Sequence, residues 1–85
     1  MELIYEPQFL EDITFWKKSG NQAIQKKITQ LLKSISESPF EGIGKPEPLK
    51  HELSGSWSRR INKEHRLVYE IIDQKIHLLS CKGHY

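Results

Sequence analysis

A carboxylate at Glu47, an ammonium at Lys50, guanidiniums at Arg60 and Arg66, and an imidazole and a phenol at His84-Tyr85 are the groups of this chain best suited to acid–base work on a phosphodiester. RNA carries its own nucleophile. Its 2′-hydroxyl needs a base to take its proton, cations to hold the crowded phosphorane, and an acid to protonate the departing 5′-oxygen. The residue types above meet that list without a metal, and DNA, which lacks the 2′-hydroxyl, would not serve as substrate. Other chemistries have thinner support. Cys81 and His84 stand two residues apart with His77 nearby, but a zinc signature needs two such pairs. Gly42 and Gly44 before Lys45 lack the spacing and the preceding strand of a phosphate-binding loop. Neither a metal nor a cofactor is expected.

Each member of the set also has a purely structural explanation. Glu47 between Pro46 and Pro48 fits a solvated loop residue. Arg66 fits a cross-strand pair with Glu70 or Glu64, an arrangement worth under about 1 kcal/mol at a surface. His84 and Tyr85 fit a frayed tail. Against fraying, only Lys82-Gly83 separates them from an apolar run, and Gly83 can turn the chain so that both rings fold back. His51 and His65 sit in the basic segment, where phosphate contact and plain exposure fit equally well. Trp57 fits a core residue better than a base-stacking platform.

The elements that must position these groups follow from two periodicities. Leu3-Ile4-Tyr5 reads as a short strand. Pro7 then opens a helix with Phe9, Ile13 and Trp16 on one face, and Gly20 ends it. Asn21 caps a second helix, in which Ile24, Ile28, Leu31, Leu32 and Ile35 form an apolar stripe and Lys26, Lys27 and Lys33 lie away from it. Pro39 marks its stop. Pro39 to Pro48, with three prolines and two glycines, reads as a surface loop. From Trp57 the period becomes two: Trp57/Arg59/Ile61, Leu67/Tyr69/Ile71, and Ile76/Leu78/Ser80 with Leu79 and Cys81 behind. Short connections at Asn62–His65 and Asp73-Gln74 join these three strands into an antiparallel meander. The expected fold is α+β, two N-terminal helices packed on one face of a twisted, mainly antiparallel sheet. Arg59 and Arg60, as strand neighbours, must point to opposite faces.

Length and charge narrow the class. The 85 residues allow one compact domain, 1–85, with a modest core that a bound partner could stabilise. A hydrophobic fraction of 36% and a charged fraction of 28% describe an ordinary globular chain. With no apolar run near the ~20 residues of a membrane span, no signal-peptide pattern, and a single Cys81 suited to a buried thiol in a reducing compartment, the expected location is the cytoplasm. The net charge is only +2, yet Lys45 to Arg66 carry six basic against three acidic side chains. A local basic surface on a near-neutral protein points to phosphate contact at one face.

Several runs carry a resemblance across the whole chain. They are Pro39-Phe40-Glu41-Gly42, Gly44-Lys45-Pro46-Glu47-Pro48-Leu49-Lys50-His51, Leu53-Ser54-Gly55, Trp57-Ser58-Arg59-Arg60-Ile61, Glu64-His65-Arg66-Leu67-Val68-Tyr69 and the ending His84-Tyr85. The chain resembles the Txe/YoeB toxins of the RelE/ParE superfamily. That resemblance implies a microbial-ribonuclease-like sheet backed by helices and a ribosome-dependent mRNA interferase of a type II toxin–antitoxin system. It implies Glu47 as general base, Arg66 as the transition-state cation, His84 as general acid, Lys50 and Tyr85 as supports in the site, and Arg60 on the phosphate. Its implied partners are mRNA, the ribosome, an antitoxin whose extended acidic segment wraps the toxin, and a second copy in a homodimer. Gly83 departs from the pattern, where relatives often carry a bulkier residue, so a looser tail is expected. Gyrase-poisoning relatives share the fold without this acid–base set, which leaves a non-catalytic nucleic-acid or ribosome-binding toxin as the alternative. A nuclease of free RNA is a third reading.

Overall fold

The change of period from 3.6 to 2 along the chain becomes a change of layer. A computed structural model describes residues 1–50 and 55–83. Its elements in order are β1 (Glu2–Tyr5), α1 (Pro7–Ser19), α2 (Gln22–Glu37), β2 (Glu47–Pro48), β3 (Ser56–Arg60), β4 (Arg66–Ile72) and β5 (Lys75–Ser80). Pro7 starts α1, where a missing N–H is harmless, and Gly20 ends it in a left-handed conformation with its N–H on the Lys17 carbonyl. The Asn21 side chain accepts from the Ile24 N–H at 3.1 Å and so caps α2. The helix stops at Glu37, and Ser38 is extended because Pro39 disfavours helical backbone in the residue before it.

The strands form one sheet in the order β1-β5-β4-β3-β2, with β1 parallel to β5 and every other pair antiparallel. This is the α+β arrangement expected. Asp73 and Gln74, at φ 49° and 63°, make the two-residue turn between β4 and β5. Phe9 and Trp16 of α1 and Ile24, Ile28, Leu31 and Ile35 of α2 pack on Leu67, Tyr69, Ile76, Leu78 and Cys81 of the sheet side.

Two expectations need correction. The Pro39–Pro48 segment is a loop only up to Pro46, because Glu47 and Pro48 add an edge strand to β3. Proline is tolerated there, where an edge position asks for no second ladder bond. Ser80 and Cys81 also exchange faces relative to strict alternation. The register steps from Val68↔Ser80 to Tyr69↔Leu78, so Leu79 is an extra residue in β5 and the bulge sends Cys81 into the core.

Candidate active site

β3 separates two environments residue by residue. Arg59 points to the helical side and Trp57 packs against the core, which puts Ser56, Ser58 and Arg60 on the far face. Residues directly opposite in an antiparallel ladder share a face. Glu47 is opposite Ser58, and Arg66 is opposite Arg60, so the register brings Glu47, Arg60 and Arg66 together on that far face. Glu47 Oε1 lies 3.9 Å from Arg60 Nη2, with both side chains about half exposed. Two guanidiniums at directly opposed positions repel unless an anion lies near. Glu47 supplies one negative charge, and a phosphate in the same place would supply another. Ser58 Oγ is buried beneath them and meets no hydrogen-bond partner among the described residues. Lys50 is exposed just beyond β2, three residues from Glu47. His84, Tyr85 and His51 lie outside the described residues.

Glu47 is held in place from behind the sheet. Arg59 is fully buried and uses all five of its N–H groups. Nε donates to the Tyr69 hydroxyl at 3.1 Å, Nη1 to Ser34 Oγ at 2.7 Å and the Ile43 carbonyl at 3.1 Å, and Nη2 to the Ser38 and Glu41 carbonyls at 2.6 and 2.9 Å. The Ser38 carbonyl belongs to the C-terminal end of α2, where the helix dipole is negative and favours a cation. The Tyr69 hydroxyl in turn donates to the Pro39 carbonyl at 2.6 Å. Burial raises the Tyr69 phenol above its usual 10.0, opposed by the bond and charge of Arg59. One guanidinium thus pins residues 38–43 to the sheet, and the Arg60 N–H on the Gly44 carbonyl at 2.6 Å pins the segment that leads into Glu47. Gly44 must be glycine here: its φ is +82°, and a Cβ would sit 2.7 Å from Leu31 Cδ2.

Between α2 and the end of β3 a cleft of about 400 Å³ is lined by Lys27, Lys45, Arg60 and Lys63 with Gly44, Ile61 and Asn62. Arg60 is the wall that the cleft shares with the Glu47 pair. Lys45 holds a left-handed φ of +52°, an uncommon conformation for a side chain with a Cβ. Helix, loop and turn each contribute a cation, which is why charge counting along the chain showed only part of it.

A model of the family described as YoeB-like toxin of bacterial type II toxin-antitoxin system matches residues 5–85. This chain belongs to the YoeB-like toxins. It is 48% identical to Toxin YoeB of Escherichia coli K12 over 85 residues, the whole of both chains. Among solved structures, the YoeB dimer from Staphylococcus aureus superposes with a TM-score of 0.87 at 48% identity, covering 100% of this chain and 98% of that one. The YoeB-YefM complex from the same organism gives 0.86 at 49% identity with the same coverage. The fold and the family expected from the motifs are therefore those observed.

Within this YoeB-like toxin, three further residues singled out in the sequence are placed as follows. His65 does not reach toward phosphate: its ring packs edge-on against Trp16, and its Nδ1 accepts from the Gly83 N–H at 2.8 Å. The Gly83 carbonyl accepts from the Arg66 N–H at 3.1 Å, while the tail expected to be looser, His84-Tyr85, lies outside the described residues. Cys81 is buried in the core while His77 stands on the far face beside Glu6 at 3.5 Å, so the two do not approach as ligands. Among the described residues, no three His, Cys, Asp or Glu side chains come together. No helix among them is long and apolar enough to cross a membrane.

Proposed function

We propose that this toxin is a metal-independent endoribonuclease that cuts mRNA on the ribosome and so inhibits translation. The observation that carries the reading is the register that sets Glu47 beside Arg60 and Arg60 opposite Arg66 on one accessible sheet face. Glu47 takes the proton of the 2′-hydroxyl, and the freed oxygen attacks the adjacent phosphorus. Arg66 and Arg60 hold the two negative charges of the phosphorane, with Lys50 and Tyr85 supporting them. His84 gives its proton to the 5′-oxygen as the P–O bond breaks, leaving a 2′,3′-cyclic phosphate and a 5′-hydroxyl. The cleft of Lys27, Lys45 and Lys63 extends the cationic surface past Arg60 and suits the phosphates that flank the cut.

Dependence on the ribosome follows from how little the protein can hold by itself. A chain of net +2 with four cations in one cleft makes few phosphate contacts, so a larger partner must present the strand. An antitoxin is the inhibitory partner, as a YoeB-YefM complex exists for a relative 49% identical, and a homodimer follows from the related YoeB dimer.

The test is to give the protein ribosomes programmed with a defined mRNA, and the same mRNA naked, both with chelator, and to map new 5′ ends. New ends confined to the ribosome-bound sample support the proposal. Ends in both samples would make it a free-RNA nuclease. No ends, with translation still blocked, would make it a non-catalytic ribosome binder.

A further inference from the structure

Beyond β5 the chain is tied at every described residue. The Cys81 N–H donates to Asp12 Oδ2 at 2.9 Å, and the Cys81 carbonyl accepts from Trp16 Nε1 at 2.9 Å. The Lys82 ammonium lies 4.0 Å from the centre of the Phe15 ring. Those partners all belong to α1. Gly83 is held from the other side, by His65 Nδ1 on its N–H and by the Arg66 N–H on its carbonyl.

His65 is itself fixed from three directions. Its N–H donates to Asn62 Oδ1 at 2.8 Å, its carbonyl accepts from the Ile61 N–H at 3.0 Å, and its ring stands 4.8 Å from the Trp16 ring at 79°. The indole that meets the imidazole is the one that holds Cys81. An Nδ1 that accepts an N–H belongs to a neutral ring with its proton on Nε2. Gly83 needs such a tie more than another residue would. Its φ is +79° and nothing among the described residues lies within 4 Å of where a Cβ would be, so neither a side chain nor crowding from them limits its backbone.

We propose that His65 is a positioning residue: through Nδ1 it holds the Gly83 amide and thereby sets where the chain departs into His84-Tyr85 relative to Arg66, its own neighbour in sequence. This rests on the reading of His84 as proton donor. It adds a residue with no contact to the reacting atoms, which acts by fixing one peptide between a catalytic arginine and a catalytic tail. Small misplacements of a reacting group slow a reaction steeply, by about 100-fold per ångström.

Two substitutions separate the hydrogen bond from the packing of the ring. His65→Phe keeps a ring against Trp16 and removes the acceptor; His65→Asn removes the ring and keeps an acceptor near the place of Nδ1. Both are assayed on ribosome-bound mRNA for kcat and KM, beside thermal midpoints and hydrogen exchange at the Gly83 amide. The expected result is a fall of about 10- to 100-fold in kcat for His65→Phe at unchanged KM, faster Gly83 exchange, and recovery of most of the rate in His65→Asn. Parental kcat in His65→Phe, or a slower His65→Asn, overturns the proposal. Where His65→Phe does not fold, Cys81 offers a ligation site: a thioester of residues 1–80 joined to a synthetic peptide of residues 81–85, with an ester in place of the Lys82–Gly83 amide, deletes the same donor and leaves His65 intact. The same loss of kcat is expected, and a parental rate overturns the proposal. A parallel His84→Ala separates the two readings. If it still cuts at the parental rate, the proton-donor reading falls and the positioning role with it. If it is inactive while the acceptor-deleted protein is not, only the positioning role falls.

Discussion

On the helical side of β3, the Arg59 guanidinium spends all five N–H groups on neutral oxygens of its own chain and is inaccessible to solvent. On the other side, Arg60 is about half exposed, with a 3.9 Å pairing to Glu47 and a second guanidinium opposite it in the ladder. Neighbours of one residue type thus divide two tasks. A buried cation whose donors are all satisfied holds structure, because any change strands a charge or several carbonyls. A cation left half exposed, held among the described residues only by a 3.9 Å pairing, keeps N–H groups that solvent can reach. The two faces therefore do different work in a chain this short: the packed face fixes the loop that carries Glu47, and the far face gathers Glu47, Arg60 and Arg66.

The largest effect is expected from removing the Glu47 carboxylate, the proposed base, from the far face. Glu47→Gln or Glu47→Ala is expected to lower cleavage of ribosome-bound mRNA by about 10²- to 10⁴-fold with the thermal midpoint unchanged. Parental cleavage in both variants would place the chemistry elsewhere. Arg59→Met is the reciprocal experiment. It should destabilise the fold by about 3–5 kcal/mol in denaturant titration, and because it releases the loop that carries Glu47, the molecules that remain folded should also cut more slowly at saturating substrate, by less than Glu47→Ala. A smaller change falls on Arg60→Ala, for which a raised KM and a salt dependence of binding reduced by about one phosphate contact are expected, again at unchanged stability. Gly44→Ala tests the link between the faces and should destabilise by more than about 1 kcal/mol, since a left-handed φ and a buried Leu31 contact are both violated.

Cys81 sharpens the contrast from the core. Burial, and secondarily the nearby Asp12 charge, push its thiol up from 9.0 to about 12. A folded value above the unfolded one stabilises fully below about pH 9, and that contribution declines as pH rises toward 12. Native protein at neutral pH should therefore resist thiol alkylation, with labelling appearing on unfolding. Prompt labelling of the native state would contradict the burial of this residue.

Much of the architecture was legible because periodicity is set by which side chains must be buried. Pro7, Gly20, Asn21 and Pro39 punctuate the helices for local steric and capping reasons that need no tertiary context. What escaped depends on register. Glu47 and Pro48 join the sheet through pairing with distant residues, and the extra Leu79 that turns Cys81 inward has no local signature. The same holds for the candidate site. Residue chemistry and family motifs picked out Glu47, Arg60 and Arg66, but their meeting on one face depends on which residues β2, β3 and β4 set opposite one another. The five-donor use of Arg59 and the tie between His65 and Gly83 join segments far apart in sequence, and neither spacing nor propensity records them.

The most direct test of the central claim is to replace one nucleotide. In a ribosome-bound mRNA cut at a mapped position, the nucleotide 5′ to the scissile phosphate is made 2′-deoxy and cleavage there is measured beside the all-ribose control. The control should yield a 2′,3′-cyclic phosphate and a 5′-hydroxyl, and the deoxy position should not be cut. Cleavage of the deoxy position at the control rate, or a product with a 5′-phosphate, would contradict the claim.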